Sequence, residues 1–149
     1  MLSLLVLLLS ISPASDDLAS NCNSLSRSRL EAAIGRPLNP GTVEFTRFGS
    51  ACSYNGGNVE VTISVQNLAV PLDLPAELRN LQTAFPGASL REVNGLGVRA
   101  FALEIPGAGV QLHLLPGPRE YVLISLMGAG DGAGEAAARI ARNYLNPPR

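Results

Sequence analysis

Val59-Glu60-Val61-Thr62-Ile63-Ser64-Val65-Gln66 alternates without a break. Apolar β-branched side chains take every odd position and polar ones every even position. That is the period of a strand with one face in a core and the other toward water. Such a strand needs neighbours, and the residues before it supply one. Asn55-Gly56-Gly57-Asn58 joins residues that tolerate positive φ, so the chain is expected to reverse there, out of a segment containing Cys52-Ser53-Tyr54. Further upstream, Thr42 to Phe48 reads as another strand.

Downstream, Ser89 to Val93, Val98 to Ile105, Val110 to Leu115 and Tyr121 to Met127 read as strands, the last two flanking Pro116-Gly117-Pro118. Tyr121 to Met127 differs from the others because both of its faces are apolar: Val122, Ile124 and Leu126 on one, Tyr121 and Leu123 on the other. A strand of that kind belongs at the centre of a sheet covered on both sides.

Three segments carry helical periodicity instead. Ser26 to Ile34 has Leu30, Ala33 and Ile34 on one stripe and stops at Gly35 and Pro37. Ser26 and Ser28 both suit an N-cap, and Ser28 to Glu31 has capping-box spacing. A second helix opens at Asp73 and Pro75, carries Leu74, Leu78, Leu81 and Phe85, and ends at Pro86-Gly87. The third runs from Asp131 to Tyr144, with Ala133, Ala137, Ile140, Ala141 and Tyr144 inward, and ends at Asn146-Pro147-Pro148. The order predicts an α+β fold: one twisted, mainly antiparallel sheet packed with about three helices and closed by one disulfide.

The chain of 149 residues suits one domain. Its formal net charge is −1, and its eleven basic residues, all arginine, are scattered. Without a basic patch, nucleic acid is not an expected partner. Arginine without lysine, with abundant Gly and Pro, fits the codon bias of a high-GC genome.

Leu2 to Ile11 forms an apolar run too short to span a bilayer and of the length of a signal-peptide core. Small residues at Ser12 and Ala14 place cleavage after Ala14, so residues 1–14 read as a signal peptide, 15–21 as a linker and 22–149 as the domain. No basic residue precedes the run, which leaves open an upstream start and a retained anchor. A buried N-terminal strand or helix is the alternative. A lipid anchor at Cys22 is disfavoured by Asp16, Asp17 and Asn21. Cys22 and Cys52 are the only cysteines, and an even count in an exported chain reads as a disulfide, here closing a loop worth roughly 3–4 kcal/mol. No Cys-x-x-Cys is present, and two thiols with one histidine do not make a metal site. The mature chain has no transmembrane candidate, and the expected place is the cell envelope or the exterior.

Cys22, a short helix ending at Gly35, Cys52-x-Tyr54, an alternating strand, Gly95-Leu96-Gly97 leading into Ala100-Phe101, and an Ala-rich terminal helix together resemble a known pattern. It is that of a family of small secreted proteins and lipoproteins, mostly actinobacterial, built on a domain of unknown function. The resemblance implies export and paired cysteines, and no activity. Val98 and Tyr54 replace the Asp and Trp common there. Element order is more distantly similar to the Mog1/PsbP-like α+β sandwich, which licenses no function.

Candidate chemistry is sparse. His113, the single histidine, shares a strand face with Gln111 and Leu115 and is expected at the surface. Glu60 and Glu104 sit on strands and could face one another as an acid pair. Ser53 and Ser125 lack a nucleophile elbow. Gly95-Leu96-Gly97 reads as a tight turn, lacking the third glycine of a dinucleotide fingerprint. Gly128 to Gly134 feeds a helix N-terminus, as anion cradles do, but lacks the Lys-Ser/Thr of a P-loop and reads as a connector. No catalytic residue, metal ligand or cofactor is assigned. The expected function is an exported, non-enzymatic binding or interaction module with an unknown protein or small-molecule partner. The alternative is a small-ligand carrier with an apolar pocket between helices and sheet; an exported hydrolase ranks lower.

Overall fold

A computed structural model describes residues 25–147. The elements run α1 (Arg27–Ile34), β1 (Thr42–Thr46), β2 (Gly49–Gly56), β3 (Val59–Asn67), α2 (Leu74–Ala84), β4 (Ser89–Glu92), β5 (Arg99–Ile105), β6 (Gly109–Gly117), β7 (Glu120–Met127) and α3 (Ala133–Leu145). The seven strands form one antiparallel sheet in the order β1-β2-β3-β7-β6-β5-β4. Two meanders, β1 to β3 and β4 to β7, are therefore joined where β3 pairs with β7. The doubly apolar strand lies fourth of seven, at the centre, as its composition requires.

Register assigns the faces. Ile63, Ile124, Leu112 and Ala102 stand in one row across β3, β7, β6 and β5, with Val61, Leu126 and Val110 in the next. These side chains meet Leu30 and Ala33 of α1 and Ala136, Ala137, Ile140 and Ala141 of α3 in the main core. Arg139 of α3 locks the two helices together by donating from Nε (3.1 Å) and Nη2 (2.7 Å) to the carbonyl of Ala33.

The opposite face is divided. Over β3 it is polar, with Glu60, Thr62, Ser64 and Gln66. Over β5 to β7 it carries Phe101, Leu103, His113 and Tyr121, all buried. There α2 provides cover through Leu81, its one buried residue, and through Glu77, which accepts a long hydrogen bond from Tyr121 Oη at 3.5 Å.

Several boundaries differ from expectation. β2 runs through Asn55 and Gly56, and only Gly57-Asn58 turn, with Gly57 at φ +61°. A single positive φ at the first turn position is the primed geometry that suits a two-residue hairpin. β6 extends past Pro116 through a register shift between Leu114 and Gly117, so the reversal falls at Pro118-Arg119. A bulge is where a strand tolerates proline. Ser26 caps α1 without a side-chain bond, and the capping box at Ser28 does not form. Glu31 instead accepts from the backbone N–H of Leu38 at 2.8 Å, fixing the exit from the helix. Asp73 caps α2 as read, its carboxylate accepting from the Ala76 N–H at 3.1 Å. α3 begins at Ala133 behind Gly132, two residues later than Asp131.

The proposed signal peptide, the linker and Cys22 lie outside the described residues. Cys52 is buried on β2, on the helix-covered face opposite Ile63. Among the described residues no helix is long and apolar enough to cross a membrane.

Candidate functional site

His113 is not at the surface. Alternation placed it on the right face, with Gln111, but α2 and the flanking Phe101 and Leu123 cover that face and leave the ring 3% exposed. Its Nδ1 is in short hydrogen-bond contact with Tyr121 Oη, and Tyr121 Oη in turn reaches Glu77 Oε1. Histidine Nε2 is buried with no partner. A relay of imidazole, phenol and carboxylate thus runs from the middle of β6 to the first turn of α2.

Burial sets its electrostatics. Desolvation lowers the His113 pKa to about 4, so the ring is neutral at neutral pH. Tyr121 is pushed upward, first by desolvation and then by the Glu77 carboxylate beside it. When the phenol donates to Glu77, His113 must donate from Nδ1, which leaves Nε2 a buried lone pair. When the phenol donates to Nδ1, Nε2 carries a buried unpaired N–H. Either tautomer leaves one nitrogen unmatched. A general base must reach the proton it removes. Here Nδ1 is engaged by the phenol, and Nε2 is buried without a partner.

The acidic pair does not assemble. Glu60 points to the polar face of β3 with Met127 across from it, while Glu104 shares the helix-covered face with Val110 two strands beyond β7. Glu104 is instead held by Arg91 of β4 at 2.9 Å. Ser53 Oγ hydrogen-bonds Thr62 Oγ1 at 3.1 Å, and Ser125 stands in the same row of the sheet. Neither serine is hydrogen-bonded to His113. Gly95-Leu96-Gly97 is the turn into β5, both glycines having positive φ and Leu96 being buried in the core. Among the described residues no three His, Cys, Asp or Glu side chains gather as a metal-binding group.

The Gly128–Gly134 connector does border a cleft. A volume of about 720 Å³ opens between that loop, the start of α3 and the β5–β6 turn, and a smaller one of about 170 Å³ follows α3 over Ala102, Val110 and Leu112. Gly128 knits its wall: its N–H donates to Ala108, its carbonyl accepts from Asn58 Nδ2, and its φ is +75°. Carboxylates dominate the rim, with Glu104, Asp131 and Glu135 present, so the helix N-terminus there does not present an anion cradle.

The remaining candidate is an edge. β1 is exposed along its whole length, and its outer side pairs with no strand. Phe45 is 54% exposed, Phe48 51% and Val43 40%. Arg47 lies over the Phe48 ring at 5.2 Å. Edge strands are ordinarily blunted by lysine, proline or inward charge. β1 has one charge, Glu44, and it points to the face opposite Val43 and Phe45. The sequence showed this strand without showing that it was terminal in the sheet.

No family model matches the chain, and no curated protein matches it, so the site is defined by its geometry alone.

Proposed function

We propose that the chain is an exported, non-enzymatic interaction module of the cell envelope or extracellular space, and that it takes a protein partner along the free edge of β1. The exposed Val43 and Phe45 on a strand whose outer edge is unpaired, with exposed Phe48 in the turn that follows it, carry this reading. Such an edge offers backbone donors and acceptors for an added strand, and the apolar side chains supply its selectivity. The leader and the secreted-family resemblance supply the compartment. The Cys22–Cys52 disulfide belongs to the same reading. Cys52 faces the helix-covered side of the sheet, and Leu25, three residues after Cys22, is buried in that core. Among the described residues there is no free cysteine.

The test is a photo-cross-linking residue at position 45, with position 62 on the polar face as control, in protein expressed in its own host. A discrete protein adduct at 45 that is absent at 62 supports the edge. Equal labelling at both positions, or none at 45, overturns it. The cleft beside α3 favours a second reading, a small-ligand carrier. That reading requires a native mass that drops on denaturation.

A further inference from the structure

One helix is attached differently from the others. α3 buries five side chains in the main core, whereas α2 buries Leu81 alone. The link entering α2 is tied to the β6–β7 turn, with Leu68 N–H donating to Arg119 (2.7 Å) and Leu72 N–H to Pro118 (3.2 Å). The exit passes through Gly87 at φ +86°. Between these two points the polar attachment to the sheet is the Glu77–Tyr121–His113 relay, ending in a buried nitrogen without a partner.

We propose that α2 is an acid-released cover: uptake of a proton by His113 requires water at the buried ring, and α2 lifts from β5–β7 to admit it. Closed, the imidazolium would have two N–H donors and one acceptor, Tyr121, with its charge in the core. Open, both nitrogens are hydrated. The groups facing the ring are few. From α2 comes Glu77, and from β7 Tyr121. β5 presents Phe101, with Arg99 5.6 Å from that ring, and β4 places Glu92 opposite Phe101. β6 adds uncharged Gln111. Glu77 is the one carboxylate joined to the relay, and its proton contact is with the phenol. The lifted helix would bare Phe101 and Leu103, an apolar face usable by a partner only in acid.

The ring's affinity for a proton differs between the closed site, about 4, and water, 6.5. By linkage that difference raises the opening constant of α2 about twentyfold between pH 7 and pH 5. The experiment is amide hydrogen exchange from pH 7 to pH 4, corrected for intrinsic rates, on the wild type, His113→Gln, His113→Phe and Glu77→Gln. The expected result is loss of protection over residues 74–84 with β3, β7 and α3 unchanged, abolished in both His113 variants and retained in Glu77→Gln. Unchanged protection of α2, equal loss across all elements, or an acid response that survives in the His113 variants would each overturn the proposal. Should neither His113 variant fold, the imidazole carbon shifts of the wild type decide. Protonation in step with α2 exchange supports it, and protonation near 6.5 with α2 still protected refutes it.

Discussion

Replacing Arg139 with methionine tests how α1 is held. α1 has only eight residues, below the length at which a helix is stable by itself. Its last carbonyls have no partner within the helix. Gly35 N–H takes that of Glu31, and the Arg139 guanidinium, reaching from α3, takes that of Ala33 with two donors. A hydrogen bond to a charged group contributes about 1.5–3 kcal/mol. The Arg139 side chain is 46% exposed, which argues for the lower end. Methionine keeps most of the apolar stem and removes the fork, so Arg139→Met should cost about 1.5–2 kcal/mol. For a chain of this size that lowers Tm by roughly 3–8 °C. Lysine restores the charge without the fork and should recover about half. Glu135, 3.8 Å from Arg139 and accepting from Arg142 at 3.0 Å, is exposed with both arginines and serves as the control, and Glu135→Ala should change stability by less than about 0.5 kcal/mol. Urea unfolding with a constant m-value measures all three. If Arg139→Met costs no more than Glu135→Ala, packing alone holds α1, and the argument from the orphan carbonyl is wrong.

Two further outcomes follow from local geometry. Gly128→Ala places a Cβ 1.8 Å from the carbonyl oxygen of Asn58 at a residue with φ +75°. Backbone cannot yield cheaply on either side, so thermal unfolding should show a loss of at least about 2 kcal/mol, whereas Gly57→Ala, at φ +61° but in open space, should cost only about 1. Tyr54, Tyr121 and Tyr144 all have pKa values raised mainly by burial. A folded value above the unfolded one contributes stability that is present below pH 10 and is lost as pH rises beyond it. Phenolate absorbance should therefore lag behind that of the urea-unfolded chain and rise together with loss of structure. Full ionisation near pH 10 in a folded protein would refute the burial.

The sheet was legible because its pattern is local. Val59 to Gln66 alternates over eight residues, and the two apolar faces of Tyr121 to Met127 announced a central strand before any pairing was known. Ends were harder. Ser28 and Glu31 have the spacing of a capping box, yet Glu31 turns away because the N–H of Leu38 seven residues on is a better-placed donor. Nothing within a few residues of Pro116 reports the bulge that lets β6 continue through it. The site was least legible. Periodicity put His113 on the correct face, but exposure depends on what covers the face, and that is α2, reached through a link bonded to a distant turn. Tyr121 and Glu77 are 44 residues apart and meet only in three dimensions. The exposure of Phe45 likewise depends on strand order, which alternation does not encode.

The pairing of β3 with β7 has a consequence for assembly. Synthesis delivers the chain from its N-terminus, yet the centre of the sheet needs the last strand. Until β7 emerges, β3 has β2 on one side and no strand on the other, and the α3 helix that packs on β6 and β7 is not yet made. The large loop that must close first makes this a late event. Loss of residues from Glu120 onward would therefore remove the middle of the structure rather than trim an end. Conversely, a cut in the link between β3 and α2 would separate two meanders whose edges are complementary. Those fragments are the natural halves for a split-protein reporter, reassociating through the Glu60–Met127 to Asn67–Glu120 register.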